Sequence, residues 1–526
     1  MENRTGWRRI MVGFLLALAF GVCTGTLVQT QVNLLALQNL GVDIGIAARL
    51  ETTFEDLMNF APIYAVVFGT SFLVSQVVAA QLVYRFGLGA RAPFLALGAA
   101  VGLWATLRLV DALAPMPTLI AATRGAGGLL AMLATAALSG WLFAALTARR
   151  LSRPARGTVA LLMLGCVALS PTKEARAQPS AEYRVETVAE GLEHPWSLAF
   201  LPGGGALITE RTGQLRILDQ TGALSPDPVM GVPEVFASGQ SGLFDVVIAP
   251  DFERSREVYL AYACGTRAEN HTCVARGRLE RGQERLAAVT EIFRARPGKE
   301  GDAHYGGRMA WLPDGSLVVS LGDGFDYREE AQKLSSHIGT IVRINRDGST
   351  PQDNPFVNRP GALPEIYSYG HRNVQGLVFD RESNRLIAHE HGPRGGDEIN
   401  VIEPGKNYGW PVVSLGLDYT GARVTPYTEY EGMESPALHW TPSIAPSGFA
   451  LVRGDQFPDW QGNLLVGALA DRSVHRVVLA DDGAVDMETL FGELDERIRD
   501  VRTGPEGAIY LLTDSPRGRL LRVTAR

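Results

Sequence analysis

The stretch MAWLPDGSLVVSLGD at 309–323 contains the pattern that decides the fold of the larger part of this chain. An apolar run ends in the turn residues Pro313, Asp314 and Gly315, and a second run rich in Val and Leu follows. Apolar runs joined by such a turn predict an antiparallel β-hairpin. Further copies of the pattern are LAFLPGGGALITE (198–210), VVIAPDFERSREVYLAY (246–262), LVFDRESNRLIAHE (377–390), FALVRGDQFPDWQGNLLVGAL (449–469) and VRTGPEGAIYLLTD (501–514).

The six copies follow one another at irregular intervals of about 50–70 residues. Units of this length fit four-stranded blades arranged radially, so the sequence predicts an all-β six-bladed propeller over 181–526. A β-sandwich of similar strand content is the alternative, and the recurrence of one hairpin pattern along the whole segment favours the propeller. Loops converge at one mouth of a propeller's central channel, so polar loop clusters between blades are candidate sites.

Residues 1–150 are different, because they contain long apolar runs. A bilayer core about 30 Å thick needs roughly 20 apolar residues in a helix. Four segments meet or approach this length and predict an all-α transmembrane region: 10–30, 60–83, 92–110 and 126–147. Within 151–180, the shorter apolar segment 157–170 predicts either a fifth membrane helix or an export signal cleaved near Ala177.

The placement of arginines predicts the orientation of these helices, since cytoplasmic loops are enriched in Lys and Arg. Arginines precede the first helix and lie between the second and third, whereas the 31–57 loop is mainly acidic. Both interpretations of 157–170 place residues 181–526 on the periplasmic face of the inner membrane. The domain is either anchored there by the N-terminal helices or released to the periplasm by cleavage.

The net charge and the cysteine content exclude further classes of protein. A net charge of −7 argues against nucleic acid as the main partner, because phosphate binding needs a basic face. Four cysteines are too few for a scaffold built on disulfides. Cys264 and Cys273 flank the predicted hairpin turn GTRAENHT, and an exported domain permits a disulfide across two strands. Two free thiols are the alternative.

Two loop clusters contain candidate catalytic or binding groups. GDAHYGGR (301–308) carries His304 in a Gly-rich loop just before a strand. Taken alone, a single loop histidine is more often structural than catalytic. YGHRNVQG (369–376) places Arg372, Asn373 and Gln375 at a blade junction, which is too many polar groups for a simple turn.

Two further clusters carry charged pairs. Asp397 and Glu398, together with nearby backbone carbonyls, suit a hard cation such as calcium, with a surface acidic turn as the alternative. A zinc site at the neighbouring histidines is weakly supported, because no third soft ligand follows at a useful spacing. Arg497 and Arg499 alternate, so on a strand they point the same way and suit a polycarboxylate ligand; a solvated basic strand face is the alternative.

A base, a divalent cation and several arginines suit the binding of an anionic cofactor and the removal of a proton and a hydride from an alcohol. The chain also contains, in this order, the strings GLEHPWSLAFLP, GQSGLFDVVIAPDF, HYGGR, LSSHIGTIVRIN, PEIYSYGHRNVQG, EHGPRGGDEINVIEPGKNYGWP, PSIAPSG and RIRD. In these strings, residues 183–526 resemble the soluble, PQQ-dependent glucose/sorbosone dehydrogenase family, and most closely its bacterial aldose sugar dehydrogenase branch. The resemblance does not extend to residues 1–175.

The resemblance implies a six-bladed propeller that binds pyrroloquinoline quinone (PQQ) and calcium and oxidises the C1 hydroxyl of an aldose to the lactone. His304 would take the hydroxyl proton while hydride passes to the quinone C5. Arg372 would stabilise the developing oxyanion, and Asp397 would orient Arg372 or His304. Electrons would leave to an external acceptor, either a respiratory quinone or a cytochrome.

The resemblance also implies which residues bind the cofactor and the metal. Positions that match cofactor-binding residues are Gln240, Arg372, Asn373, Tyr419, Arg497 and Arg499. Positions that match calcium ligands are Gly392 and Pro393 through their carbonyls, Glu398, and the carbonyl of Tyr408.

Two residues depart from the family pattern. Ala470 stands where family members often have a lysine that contacts the quinone, and Arg472 is the candidate substitute. Ala303 stands where the glucose dehydrogenase branch has an aspartate, which favours the aldose branch. Both departures keep open a non-catalytic sugar-binding or sensor propeller on a membrane anchor. A calcium-dependent lactonase-like hydrolase is the other alternative, although a hydrolase has no need of a tricarboxylate clamp.

Overall fold

The computed structural model describes residues 2–113, 118–148, 183–282, 285–480 and 483–526. The chain divides into two compact units. The helical unit combines 1–29, 57–110 and 122–178, and the β-rich unit combines 30–56, 111–121 and 179–526. The segment 157–170 and the candidate cleavage site Ala177 lie outside the described residues.

The described N-terminal helices are α1 (Glu2–Asn39), α2 (Ile46–Asn59), α3 (Ala61–Arg85), α4 (Arg91–Leu113) and α5 (Ala126–Leu146). Four stretches of them are long and apolar enough to cross a membrane: Trp7–Asn39, Ala61–Arg85, Arg91–Leu113 and Ala126–Leu146. They correspond to the four predicted helices, and the first is longer than expected.

The helix α2 is a correction to the sequence analysis, which treated residues 31–57 as a loop. Its apolar residues recur at helical spacing and its charges lie on the opposite side. A search for long uninterrupted apolar runs misses a short amphipathic helix of this kind.

Small residues let the helices of the helical unit approach closely. A Cβ atom added to Gly140 of α5 would lie 2.3 Å from the carbonyl oxygen of Leu95 in α4. Aromatic rings stack along one side of α3, with the Tyr64 and Phe68 centroids 5.7 Å apart. Close contact through small residues is the common packing mode of membrane helices.

Besides the parts of α1, α2 and α4 that it includes, the described residues of the β-rich unit form the short helix α6 (Phe252–Ser255) and many short strands. The described strands are β1 (Tyr183–Leu192), β2 (Pro195–Phe200), β3 (Ala206–Glu210), β4 (Gln214–Leu218), β5 (Leu243–Ile248), β6 (Glu257–Gly265), β7 (Asn270–Leu279), β8 (Leu286–Arg294), β9 (Gly306–Trp311), β10 (Leu317–Leu321), β11 (Thr340–Ile344), β12 (Ile366–Tyr369), β13 (Val374–Asp380), β14 (Arg385–Glu390), β15 (Asp397–Ile402), β16 (Leu438–Trp440), β17 (Pro446–Leu451), β18 (Leu464–Ala468), β19 (Ser473–Ala480), β20 (Gly483–Leu490), β21 (Ile498–Thr503), β22 (Ile509–Thr513) and β23 (Gly518–Ala525).

These strands form six antiparallel sheets, which are β2–β4, β5–β8, β9–β12, β13–β16, β17–β20, and β21–β23 with β1 added at its edge. The first sheet has three described strands and each of the others has four. The first strands of the sheets, β2, β5, β9, β13, β17 and β21, contact one another in succession, and β21 also contacts β2. This closed ring confirms the predicted six-bladed propeller.

The predicted disulfide is present in the second blade. Cys264 on β6 and Cys273 on β7 are bonded, and their Cα atoms lie 6.0 Å apart. The register pairs Cys264 with His271 and Cys273 with Tyr262, so the bond runs diagonally between the two strands.

Charged side chains from three inner strands meet inside the ring. The guanidinium of Arg308 lies 3.0 Å from Asp500 and 3.7 Å from Asp245, and all three side chains are buried. It also lies over the Trp196 ring, 4.0 Å from the centroid. Arg502 pairs with both carboxylates, at 2.9 and 3.0 Å. These ion pairs join the second, third and sixth blades, and the contact with Trp196 adds the first.

Replacing the central cation therefore tests how the ring is held together. Arg308→Met leaves Asp245 and Asp500 with one guanidinium between them, and we expect a loss of about 3–5 kcal/mol of unfolding free energy. The measurement is the melting temperature of the full chain in detergent, followed by tryptophan fluorescence. Arg294→Met is the matched control, because Arg294 pairs with Glu291 at the surface. Equal melting temperatures for the two variants would contradict this role.

Candidate active site

His304 lies in the loop just before β9, and its side chain is buried. Its Nδ1 atom lies 2.6 Å from Oδ1 of Asp323, which follows β10. Because a carboxylate only accepts, Nδ1 carries the proton, and Nε2 has no hydrogen-bond partner within the described part of the chain. Burial lowers the pKa of His304, Asp323 raises it and Arg372 lowers it, and the net pKa is below the ordinary value. The imidazole is therefore neutral at neutral pH.

The backbone of His304 has φ of +48°, a left-handed conformation that is uncommon outside glycine. The Oε1 atom of Gln240 accepts a hydrogen bond from the His304 amide at 3.0 Å. The amide of Gly324 donates to the His304 carbonyl at 3.2 Å. Strained residues held by several contacts are concentrated at functional sites.

Asp323 connects His304 to two other loops. Its Oδ2 atom accepts a hydrogen bond from Nε1 of Trp410 at 2.8 Å, and its amide donates to the carbonyl of Arg372 at 2.7 Å. Burial would raise the pKa of Asp323, but His304 and Arg372 lower it below the ordinary value. The carboxylate is therefore charged. Asp323 and Trp410 were not singled out from the sequence.

Arg372 is close enough to His304 to lower the pKa of the imidazole. Its Nη1 atom donates to the carbonyls of His391 and Gly392 at 3.1 and 2.7 Å, and Nη2 donates to the Tyr419 hydroxyl at 3.4 Å. The guanidinium lies over the Trp410 ring, 5.3 Å from the centroid. A buried cation is thus fixed by neutral acceptors and by an aromatic face.

Asn373 and Gln375 bind backbone at the junction of the third and fourth blades. The Oδ1 atom of Asn373 accepts from the Gly306 amide at 3.1 Å, and the amide group of Gln375 donates to the Gly306 carbonyl at 3.2 Å. Both side chains are buried. In this structure, they hold the loop that follows His304.

A basic cluster lies at the start of the sixth blade. Arg497 and Arg499 each lie 3.1 Å from Oδ2 of Asp514, so the predicted pair does point the same way. Although burial raises the pKa of Asp514, the two guanidinia and nearby Arg211 hold it well below its usual range. Asp514 is charged, and it neutralises one of these three cations. Arg211 and Asp514 were not found from the sequence.

Arg472 has φ of +54° and donates to the backbone carbonyl of Asp495 at 3.1 Å. Its side chain is about half exposed. In this arrangement, the guanidinium is engaged with Asp495 and not with the other predicted site residues.

The loop that contains Gly392 is tightly turned. A Cβ atom at Gly392 would lie 2.2 Å from the carbonyl oxygen of Gly395 and 2.3 Å from that of Gly396. The carboxylate of Asp397 accepts from the Gly392 amide at 2.8 Å and from Ser443 at 2.7 Å. Among the described residues, Asp397 makes no hydrogen bond to His304 or Arg372. It holds Gly392, whose carbonyl binds Arg372.

A small cavity of about 10 Å³ lies beneath this loop. Arg372, Glu390, Gly392, Pro393, Glu398 and Tyr408 are among its lining residues. Burial, followed by the neighbouring Glu390, raises the pKa of Glu398 to about 8. Asn400 donates to both carboxylates, while its own Oδ1 atom is buried without a partner among the described residues. The two neighbouring carboxylates that line the cavity are the kind of oxygen donors that a hard cation prefers.

The fold and site define a class of protein: a six-bladed propeller with a neutral imidazole, a buried guanidinium, a basic cluster and an oxygen-lined cavity. The family model for glucose/sorbosone dehydrogenase matches residues 192–522. The chain belongs to the glucose/sorbosone dehydrogenase family, as the sequence motifs predicted.

Individual relatives agree with this assignment. Aldose sugar dehydrogenase YliI of Escherichia coli is 43% identical over 66% of this chain and 94% of the relative. Quinoprotein glucose dehydrogenase B of Acinetobacter calcoaceticus is 27% identical over 68% of this chain and 90% of the relative. The PQQ-bound structure of aldose sugar dehydrogenase from Streptomyces coelicolor has a TM-score of 0.54 and 31% identity, and covers 66% of this chain and all of that one.

The raised pKa of Glu398 gives a test of the cavity. A carboxyl whose pKa is higher in the folded state stabilises the fold below its unfolded pKa, and that stability is lost as pH rises through about 8. With a metal chelator in the buffer, we expect the melting temperature of the wild type to fall as pH rises from about 5 to 9. The fall should be steeper than that of the Glu398→Gln variant. A cation that binds the carboxylates would flatten the wild-type curve.

The control variant is Glu382→Gln, because the side chain of Glu382 is 76% exposed. If the melting temperatures of the wild type and Glu398→Gln fall in parallel as pH rises, ionisation of Glu398 is not what destabilises the fold.

Proposed function

We propose that this chain is a PQQ- and calcium-dependent dehydrogenase that oxidises an aldose at C1 to its lactone. The observation that carries the proposal is the arrangement of His304, Asp323 and Arg372, in which a neutral imidazole is bonded to a buried carboxylate and a nearby guanidinium lowers the pKa of both groups. The membership of the family and the sugar dehydrogenases among the relatives support the same reaction.

His304 is the general base of this proposal. Its Nδ1–H is bonded to Asp323, so the Nε2 lone pair is free to take the proton of the C1 hydroxyl. Its lowered pKa keeps that lone pair available at neutral pH. The Asp323 carboxylate then stabilises the imidazolium that forms.

Arg372 provides fixed positive charge beside the base. A cation held by backbone carbonyls and an aromatic ring needs no reorganisation to stabilise negative charge on a bound oxygen. Bound PQQ supplies an o-quinone that accepts the hydride of the sugar. Gln240 and Asn373 bind the backbone of the loop that carries His304, and Tyr419 contacts Arg372.

Arg497 and Arg499 are the proposed clamp for the carboxylates of the cofactor. With Arg211 they give three guanidinia against one carboxylate, and the uncompensated charge suits a multiply anionic ligand. Arg472, which is bonded to Asp495, is a weaker candidate for this role.

The residues around the small cavity suit calcium. Glu398 and the Tyr408 carbonyl would hold a cation in the cavity, and the carbonyls of Gly392 and Pro393 would hold one at the cofactor. In this proposal, Asp397 positions the Gly392 loop. Calcium there would neutralise the Glu398 carboxylate, which burial otherwise keeps protonated at neutral pH.

The predicted orientation supports a periplasmic site of sugar oxidation at the inner membrane. Electrons then leave to an external acceptor, a respiratory quinone or a cytochrome. The four helices that are long and apolar enough to cross a membrane would keep the enzyme close to such an acceptor.

The first experiment tests catalysis. The full chain in detergent, loaded with PQQ and calcium, is expected to reduce an artificial dye when aldoses are added. His304→Ala should lower kcat by roughly 10²–10⁴-fold and leave the PQQ titration unchanged, because only the base is removed. His439→Ala is the control, since His439 is exposed on β16. No dye reduction with any sugar, while the E. coli relative reacts in parallel, would refute the enzyme and favour a sugar-binding module.

The second experiment tests the clamp. Arg497→Ala and Arg499→Ala should each raise the Kd for PQQ about tenfold, because each removes a charge-assisted contact. The measurement is a titration with PQQ, read by quenching of tryptophan fluorescence. Arg517→Ala is the control, since Arg517 is an exposed arginine of the same blade. An unchanged titration midpoint in both variants would remove the pair from the cofactor site.

A further inference from the structure

Residues 30–56 belong to the β-rich unit and not to the helical unit. They comprise the end of α1, the connection 40–45 and most of α2. They pack on the long excursion of the propeller between β15 and β16. The shared apolar cluster contains Leu34, Leu37, Val42 and Ile44 from this segment, and Val412, Tyr427, Tyr430 and Met433 from the excursion.

Polar contacts concentrate on one propeller residue, Arg423. The carboxylate of Glu55 accepts from Nε and Nη2 of Arg423 at 2.5 and 2.9 Å, a bidentate pair. Asp56 is fully buried, and its Oδ1 atom accepts from the Arg423 amide at 2.7 Å. Thr30 donates to the other oxygen of Asp56 at 2.7 Å. Two acidic residues of α2 thus hold both the side chain and the backbone of Arg423.

Arg423 forms the base of a small hairpin, 417–423. Leu417 and Arg423 pair antiparallel, and the amide of Asp418 donates to the carbonyl of Ala422 at 2.8 Å. A two-stranded hairpin is marginally stable alone in water, and outside its own strands Leu417 pairs with Arg394. The contacts of Arg423 with α2 therefore contribute to holding the hairpin in place.

The tip of this hairpin lies in the candidate active site. The hydroxyl of Tyr419 accepts from Arg372 at 3.4 Å, and its ring stacks on Phe325 with centroids 6.2 Å apart. Phe325 in turn lies 5.2 Å from the His304 ring. The family match begins at residue 192, so residues 30–56 lie outside it.

We propose that residues 30–56 clamp the 417–423 hairpin and that Glu55 and Asp56 are positioning residues for the Tyr419 side of the cofactor pocket. This inference rests on the proposed function. A hairpin fixed before binding does not have to be ordered by the ligand, so the affinity for the cofactor is higher than with a loose hairpin. The segment that leads from the first membrane helix would thus complete the pocket.

A charge-reversal cycle in the full chain tests the clamp. The variants are Arg423→Glu, Glu55→Arg, the two together, and the milder Glu55→Gln in case a reversal impairs folding. The first readout is hydrogen–deuterium exchange of residues 416–424, and the second is the PQQ titration midpoint. We expect each reversal to speed exchange and to raise the Kd for PQQ about three- to tenfold, and the double variant to recover most of both.

The control is Lys406→Glu, which breaks the exposed pair of Lys406 with Glu434 in the same excursion. Exchange and Kd should both stay at the wild-type values. If Arg423→Glu and Glu55→Gln leave the exchange of 416–424 unchanged, the hairpin holds itself and the clamp is refuted. If exchange rises while the Kd for PQQ stays the same, the positioning role is refuted. A wild-type chain that binds no PQQ refutes the proposed function, and the exchange result still decides the clamp.

Discussion

The site depends on one buried carboxylate, that of Asp323. It accepts hydrogen bonds from His304 and Trp410, and its amide binds the carbonyl of Arg372. A charge buried in a protein must be compensated, and here two N–H groups bind the carboxylate while the positive charge of Arg372 helps to lower its pKa. The backbone of His304, in its left-handed conformation, is bonded to Gln240 and Gly324, so the base is held through both its side chain and its backbone.

The ring of sheets explains why residues so distant in sequence meet around Asp323. Gln240, His304, Arg372 and Arg497 each lie just before the innermost strand of a different blade, namely β5, β9, β13 and β21. These strands lie side by side in the ring. The loops that precede them therefore open at the same mouth, and each blade contributes a short polar motif there. Outer strands supply the apolar surfaces between blades and few of these groups.

This geometry also decides which residues could be predicted from the sequence. The six hairpins and the motifs beside the inner strands are local patterns in the sequence. For this reason the fold could be predicted, and His304, Arg372 and the Arg497–Arg499 pair could be proposed as site residues. Asp323 and Asp514 each follow a second strand of a blade, where aspartate is an ordinary turn residue. The residues that contact these two aspartates come from loops that are distant in sequence. No spacing in the sequence indicates these contacts.

Unbalanced charge gives an argument about the ligand that is independent of the motifs. In the basic cluster, Asp514 offers one negative charge to Arg211, Arg497 and Arg499. In the cavity, Glu390 lies beside Glu398, and burial, followed by the charge of Glu390, raises the pKa of Glu398. The side chain of Glu390 is buried, where an uncompensated charge is costly, whereas that of Arg497 is 43% exposed and solvent screens part of its charge. An anion with several carboxylates and a hard cation together would balance both, whereas a neutral sugar alone would balance neither.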